Sequence, residues 1–246
     1  MHRFFVTPDQ IRHHLVQFDA DQAHQMRRVL RLRPGDRVVA LDGLGRQYEV
    51  TLEEVANARA TGRAADPVAA TGESSARLTL YQSLTRREKF EWVLQKGTEI
   101  GIAAFVPVIT RRSLVRDAED VGPEKLGRWQ RIIREAAEQS NRGLLPTLSP
   151  PLAFADALVA ARRMDASLIA RADELHRTIG DALGGRPAMA EIALFIGPEG
   201  GYDEEEVRLA ESWGVVPVSL GSRILRTETA AIVGAALVLH QLGELG

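Results

Sequence analysis

Between residues 78 and 220, five short apolar runs alternate with helix-patterned stretches, and no other feature of the chain restricts its fold as much. The runs are LTLYQSL (78–84), AAFVPVI (103–109), SLIAR (167–171), EIALFIG (191–197) and VVPVSL (215–220). Their length and their helical spacers predict an α/β layered domain with a mainly parallel sheet. With 246 residues and 45% hydrophobic content, the chain can bury one large core or two modest ones.

The first 60 or so residues read differently. RVVAL (37–41), the turn DGLG (42–45) and QYEVTLEEV (47–55) predict a hairpin, suited to a small barrel or sheet. AADPVAATGESSA (64–76) has no periodic apolar signal, which places a domain boundary near residue 72, giving domains 1–72 and 73–246. The N-terminus lacks an apolar signal-type core. AAIVGAALVL (230–239), the longest apolar stretch, is far shorter than the roughly 20 residues of a membrane span, so it is expected to be a buried helix. The absence of cysteine excludes disulfides, thiolate metal sites and a cysteine nucleophile, and fits a reducing cytoplasm. Metal ligation by histidine is also not expected, because no two of the six histidines have ligand spacing with carboxylate support.

Two helices are clear. Thr85-Arg86-Arg87-Glu88 has the form of a capping box, ahead of a face carrying Phe90, Val93, Leu94 and Gly97. A second helix is expected from about Glu124 to Ser140. Its inner side would hold Leu126, Trp129, Ile133, Ala136 and Ala137, and its outer side pairs Arg131 with Glu135 and Arg134 with Glu138 at i,i+4.

Ligands of open α/β sheets bind beyond the carboxyl ends of the strands, which directs attention to the loops after Ile196 and Leu220. The first reads GPEGGYDEEE (197–206). Its glycines allow close backbone approach, while Asp203 suits an N-cap and Glu206 the N3 position. Three glutamates at a helix start would repel a phosphate, and neither GxGxxG nor GxxxxGK[ST] is present. A cationic or neutral ligand suits such a loop. The second loop, SLGSRILRTETAA (219–231), sets Arg223 and Arg226 among apolar residues beside Glu228, an arrangement that suits an anionic or planar polar partner. Thr227 or Thr229 could cap the following helix, which is expected to bury Ile232 and Leu237.

At these residues the chain resembles a known family. GPEGGYDEEE, SLGSRILRTETAA, KGTEIG (96–101), EAAEQSNR (135–142) and the opening MHRFF together resemble the bacterial 16S rRNA uridine-N3 methyltransferases, a branch of the SPOUT methyltransferases. The resemblance implies a PUA-like RNA-binding β-barrel at the N-terminus and an α/β domain with a trefoil knot at the C-terminus. It implies S-adenosylmethionine as cofactor, whose sulfonium cation and lack of phosphate match the acidic glycine loop. It places the cofactor pocket on Phe195, Ile196, Gly197, Glu199 and Gly200 in the first loop, and on Leu220, Gly221, Ile224, Leu225 and Thr229 in the second. It also implies a homodimer, acting in the cytoplasm on 16S rRNA or the small ribosomal subunit.

N3 methylation needs the imide proton removed and the developing O2/O4 charge stabilised, for which Arg226 and Arg223 are nominated as stabilisers and Glu228 as proton acceptor. The base must be unpaired or flipped out. Arg3, Arg27, Arg28, Arg31 and Arg142 are nominated as RNA contacts, with Arg111 and Arg112 extending the track and Phe4 or Phe5 either stacking on bases or lying in the barrel core. A SPOUT ribose 2′-O-methyltransferase and a non-catalytic RNA-binding assembly factor are the competing readings.

Overall fold

The computed structural model describes residues 1–114, 117–184 and 190–246. The chain divides into two compact units: residues 1–73 with 137–145, and residues 74–136 with 146–246. The return of 137–145 to the first unit is the departure from a simple boundary near residue 72.

The first unit holds β1 (Arg3–Phe5), β2 (Ile11–Arg12), β3 (Leu15–Phe18), α1 (Ala20–His24), a π-helical turn (Gln25–Val29), β4 (Arg37–Leu41), β5 (Arg46–Val55), β6 (Ala60–Ala64) and β7 (Val68–Ala69). The strands form one sheet in the order β1-β4-β5-β6-β3-β2, with β7 on β5. Only the β1/β4 pair is parallel. The hairpin expected around DGLG is present, and Asp42 shapes it: its carboxylate accepts from the backbone N–H of Leu44 at 2.8 Å and of Arg46 at 3.0 Å.

The sheet is strongly curled. Phe4 of β1 and Phe18 of β3 stand four strand positions apart in the sheet order, yet their ring centroids are 5.7 Å apart. A flat sheet, with about 4.8 Å between strands, would hold them nearly 20 Å apart. Both rings join Val16, Val38, Val50 and Leu52 in one core, as a barrel-like unit requires. Phe4 and Phe5 are 1% and 4% exposed, so both are core residues and neither is a base-stacking platform.

Residues 137–145 are anchored to this unit by an ion pair. The Arg142 guanidinium donates to Glu73 at 2.8 and 3.0 Å, and the same carboxylate accepts from the backbone N–H of Gly143 and Leu144. Arg142 is 4% exposed. The expectation that it contacts RNA is therefore corrected, since its charge is spent inside the fold.

The second unit contains β8 (Arg77–Ser83), α2 (Arg87–Ile100), β9 (Ala104–Ile109), α3 (Pro123–Gln139, up to Ala136), β10 (Thr147–Leu148), β11 (Leu152–Ala153), α4 (Phe154–Ala161), β12 (Ala166–Ala170), α5 (Ile179–Leu183), β13 (Glu191–Ile196), α6 (Glu204–Ser212), β14 (Val216–Val218) and α7 (Thr227–Gln241). All five apolar runs are strands of one parallel sheet, ordered β10-β9-β8-β13-β12-β14, with β11 on β9.

Both faces are covered, as buried parallel strands demand. On one face α4 and α6 supply Phe154, Leu158 and Ala210 to a core with Tyr81, Ile169 and Phe195. On the other, α7 packs against α2, β8 and β13. Glycine permits this closeness at two points. A Cβ on Gly97 would lie 2.8 Å from Ile102 and Phe105, and one on Gly234 would lie 3.1 Å from Leu194.

Two local expectations fail. Thr85 does not cap α2: the N-cap is Arg86, with no side-chain cap bond, because Leu84 still pairs with Val108 and holds Thr85 in the strand's extension. Leu237 is 42% exposed rather than buried, and Ile232 is half-buried.

Candidate active site

β12, β13 and β14 are neighbours, and the chain leaves each at the same, carboxyl edge of the sheet. Their following loops surround a cleft of about 540 Å³, with Lys89 of α2 and Arg112 beyond β9 on its rim. This size suits a small-molecule cofactor.

The glycine loop is held from several directions. Asp203 caps α6 as expected, accepting from the N–H of Glu205 and Glu206, while the Glu206 carboxylate accepts in turn from the Asp203 N–H at 3.0 Å. Glu206 also accepts from Arg111 N, so its carboxylate is fully engaged in structure. The Arg111 side chain donates to Asp203 at 2.9 Å and also to Glu205, and those two acids raise its pKa. Arg112 donates to the Gly200 carbonyl at 2.8 Å. The two arginines expected in an RNA track thus brace the glycine loop.

Beneath the loop runs a buried chain of hydrogen bonds. Gln82 Nε2 at the end of β8 donates to Thr227 Oγ1 at 3.1 Å, and that hydroxyl donates to the Gly197 carbonyl at 2.6 Å. Thr227 therefore serves the loop rather than capping α7, whose N-cap is Arg226. Tyr202 closes the loop from the side: a Cβ on Gly197 would meet its ring at 3.2 Å, and burial pushes its phenol pKa up.

Acids face the cleft at three points. Asp173 takes a fork from Arg171, which also reaches Glu204 at 3.3 Å and whose pKa is raised chiefly by Asp173. Burial pushes the Glu199 carboxyl up, but backbone N–H groups and Lys89 outweigh it and hold it below the usual carboxylate range. Lys89 Nζ lies 3.1 Å from Glu199 Oε1 and 3.6 Å from Glu228 Oε2.

Of the residues nominated for cofactor binding, Ile196, Gly197, Glu199, Leu220, Gly221, Ile224 and Leu225 line the cleft. Phe195 lies under it in the core, stacked on Tyr81 at 4.4 Å, while Gly200 and Thr229 are outside the lining. Arg223 and Arg226 both line it, and among the described residues neither has an ion-pair partner. Glu228 is outside the lining, its carboxylate 3.6 Å from the ammonium of Lys89, which is part of it. Arg27, Arg28 and Arg31 are exposed on the first unit, whereas Arg3 is half-buried on Gln47. Sequence reasoning missed Lys89, Arg171, Asp173 and Tyr202. Only Lys89 carried a local signal, a cation in the first turn of a helix, where the dipole opposes it.

The carboxyl-edge cleft is lined by glycine, acids and two uncommitted arginines, and the domain matches identify the chain that carries it as an RNA methyltransferase. Residues 72–239 match the RNA methyltransferase domain model and residues 18–61 the RNA methyltransferase PUA domain model. The chain belongs to the ribosomal RNA small subunit methyltransferase E family. The relative from Synechocystis is 36% identical, across 96% of this chain and 77% of its own, and that from Bacillus subtilis is 29% identical, across 98% and 97%. Two solved structures extend the match. A putative methyltransferase from Legionella pneumophila in complex with the bound cofactor SAM superposes with a TM-score of 0.89 at 30% identity, covering 98% of this chain and 97% of that one. A small subunit methyltransferase E from Neisseria gonorrhoeae bound to S-adenosyl methionine gives 0.83 at 30% identity with the same coverage. These relationships give the second unit the SPOUT-type α/β fold and the first a PUA-like one.

Proposed function

We propose that this protein transfers the methyl group of S-adenosylmethionine to N3 of a uridine in 16S ribosomal RNA. The observation that carries the reading is the convergence of Arg223 and Arg226, both lacking ion-pair partners among the described residues, on a cleft whose glycine loop is acidic. The site fits the cofactor. Acids at Asp173, Glu199 and Glu204 suit a cation, and close backbone at Gly197 and Gly221 leaves room for a flat base.

When bound, S-adenosylmethionine supplies an electrophilic methyl group. The protein's own part is to orient the uracil, withdraw its N3 proton and stabilise the charge that spreads to O2 and O4. Arg226 and Arg223 perform the last role from the cleft wall, and Glu228 accepts the proton. No cysteine is required, since attack at nitrogen needs no covalent intermediate. Arg27, Arg28 and Arg31 are exposed cations suited to phosphates of the substrate, and the half-buried Arg3 of the same unit is nominated with them.

The reading includes a homodimer and a cytoplasmic site of action. Support for the dimer comes from α2 and α7, which pack side by side and leave Trp92 and Leu237 each 42% exposed. Among the described residues no helix is long and apolar enough to cross a membrane, and no group of acids and histidines is placed to hold a metal.

Titration with S-adenosylmethionine followed by transfer to undermodified small subunits tests the proposal. N3-methyluridine in the digest supports it, and a 2′-O-methyl product sinks it.

A further inference from the structure

A single exposed apolar side chain is ordinary on a protein surface, but Ile224 stands at the cleft with 89% of its area open, more than any other large hydrophobic side chain among the described residues. The loop that carries it is fixed at both ends. After β14 the Ser219 hydroxyl accepts from the Gly221 N–H at 3.2 Å, and Gly221 turns the chain at a φ of 104°, where a side chain would be strained. Beyond Ile224, Leu225 is half-buried in the cleft wall, and the buried Thr227 hydroxyl holds the Gly197 carbonyl at 2.6 Å. Ile224 therefore projects from an anchored mount. The charges of the cleft are divided around it. Lys89 and Arg171 are paired with the acids Glu199, Asp173 and Glu204. Arg223 and Arg226, one residue before Ile224 and two after it, are exposed and have no ion-pair partner among the described residues. The acidic part suits a sulfonium, and the part around Ile224 suits a polyanion that also offers apolar surface, which describes unstacked RNA.

We propose that Ile224 is a wedge that enters the base stack of the RNA where the target uridine has left it, and so keeps that base extruded into the cleft. The inference rests on the methyltransferase reading above and deepens it. A base turned out of its stack leaves two exposed neighbouring faces, and an apolar side chain inserted between them removes that surface, and its own, from water. The side chain suits the task. Isoleucine is branched at Cβ and stiff at χ1, so little rotamer freedom is lost when it is gripped. The arginines on either side of it are placed to meet the uracil it displaces. The cofactor needs only Leu225 and the main chain of this loop, which leaves the Ile224 side chain for the RNA.

The test compares Ile224→Ala and Ile224→Leu with the unsubstituted full-length protein, on undermodified small subunits. Because the side chain is exposed, both variants should keep the melting temperature and the solution mass, and calorimetry should find their affinity for S-adenosylmethionine within roughly threefold of normal. Ile224→Ala should lower kcat by about 30-fold while KM for the subunit moves by less than about threefold, since a base that falls back into its stack is bound but misplaced. Ile224→Leu should restore most of the rate. A second readout needs no turnover: with S-adenosylhomocysteine, which has no methyl group to give, 2′-hydroxyl acylation at the target uridine should rise on adding the unsubstituted protein or Ile224→Leu, and should not rise with Ile224→Ala. Normal kcat and normal acylation in Ile224→Ala would overturn the proposal. So would a tenfold or greater loss of cofactor affinity, which would put the side chain against S-adenosylmethionine, or a changed solution mass, which would put it against a second copy of the chain. Absence of transfer by the unsubstituted protein would instead overturn the functional reading beneath it.

Discussion

The Thr227 hydroxyl donates a 2.6 Å hydrogen bond to the Gly197 carbonyl, joining the head of α7 to the first residue of the glycine loop. Gln82 completes the connection from β8, so three segments that line or underlie the cleft share one buried hydroxyl. Thr227→Val keeps the shape but removes the hydroxyl bonded to the Gly197 carbonyl and leaves Gln82 Nε2 with only its bond to the Ser83 carbonyl, at about 1–3 kcal/mol. Calorimetry should show S-adenosylmethionine binding weakened by roughly tenfold or more, with little change in the folded far-UV spectrum. Unaltered affinity would mean that the hydroxyl does not shape the loop.

Arg226 is exposed and caps α7 with its backbone alone. Arg226→Ala should therefore retain the fold and cofactor affinity while kcat falls by about 100-fold, the usual cost of losing one stabiliser of developing charge. A variant with normal turnover removes Arg226 from the mechanism.

The Glu73–Arg142 pair holds residues 137–145 in the first unit. Glu73→Ala removes the carboxylate that pairs with the nearly buried Arg142 guanidinium and should cost about 3 kcal/mol in urea unfolding. Burial pushes the Glu73 carboxyl up, but Arg142 and the backbone N–H groups of Leu144 and Gly143 hold it below its ordinary value. A depressed folded pKa means that this stability is present above the ordinary glutamate value of about 4.3, and is lost as pH falls through the folded one. The wild type should lose stability more steeply in acid than Glu73→Ala, and parallel acid profiles would contradict the assignment.

Gly97 sits mid-helix where alanine is intrinsically better by about 1 kcal/mol. Its added Cβ would nevertheless lie 2.8 Å from Ile102 and Phe105, and overpacking of that kind costs about 1–3 kcal/mol. Gly97→Ala should thus lower the melting temperature, and a rise would show that α2 can move off Phe105.

The parts of the fold legible in the sequence are those set by local pattern. The five parallel strands followed from apolar runs, and the Asp203–Glu206 capping box from an i,i+3 spacing. The same spacing at Thr85 misled, because pairing of Leu84 with Val108 keeps that residue in the strand's extension. The site was only half legible. Arg223 and Arg226 stood out by being charged among apolar neighbours, but Lys89 acts on partners at Glu199 and Glu228, and Arg112 on Gly200, contacts that only the tertiary fold creates. Arg142 misled for the same reason, since its partner Glu73 is distant in sequence.

The most direct test is nucleoside mass spectrometry of 16S rRNA from undermodified small subunits incubated with this protein and labelled S-adenosylmethionine. The account predicts label in N3-methyluridine at a single position. Label in a ribose 2′-O-methyl nucleoside, or none despite cofactor binding, would contradict it.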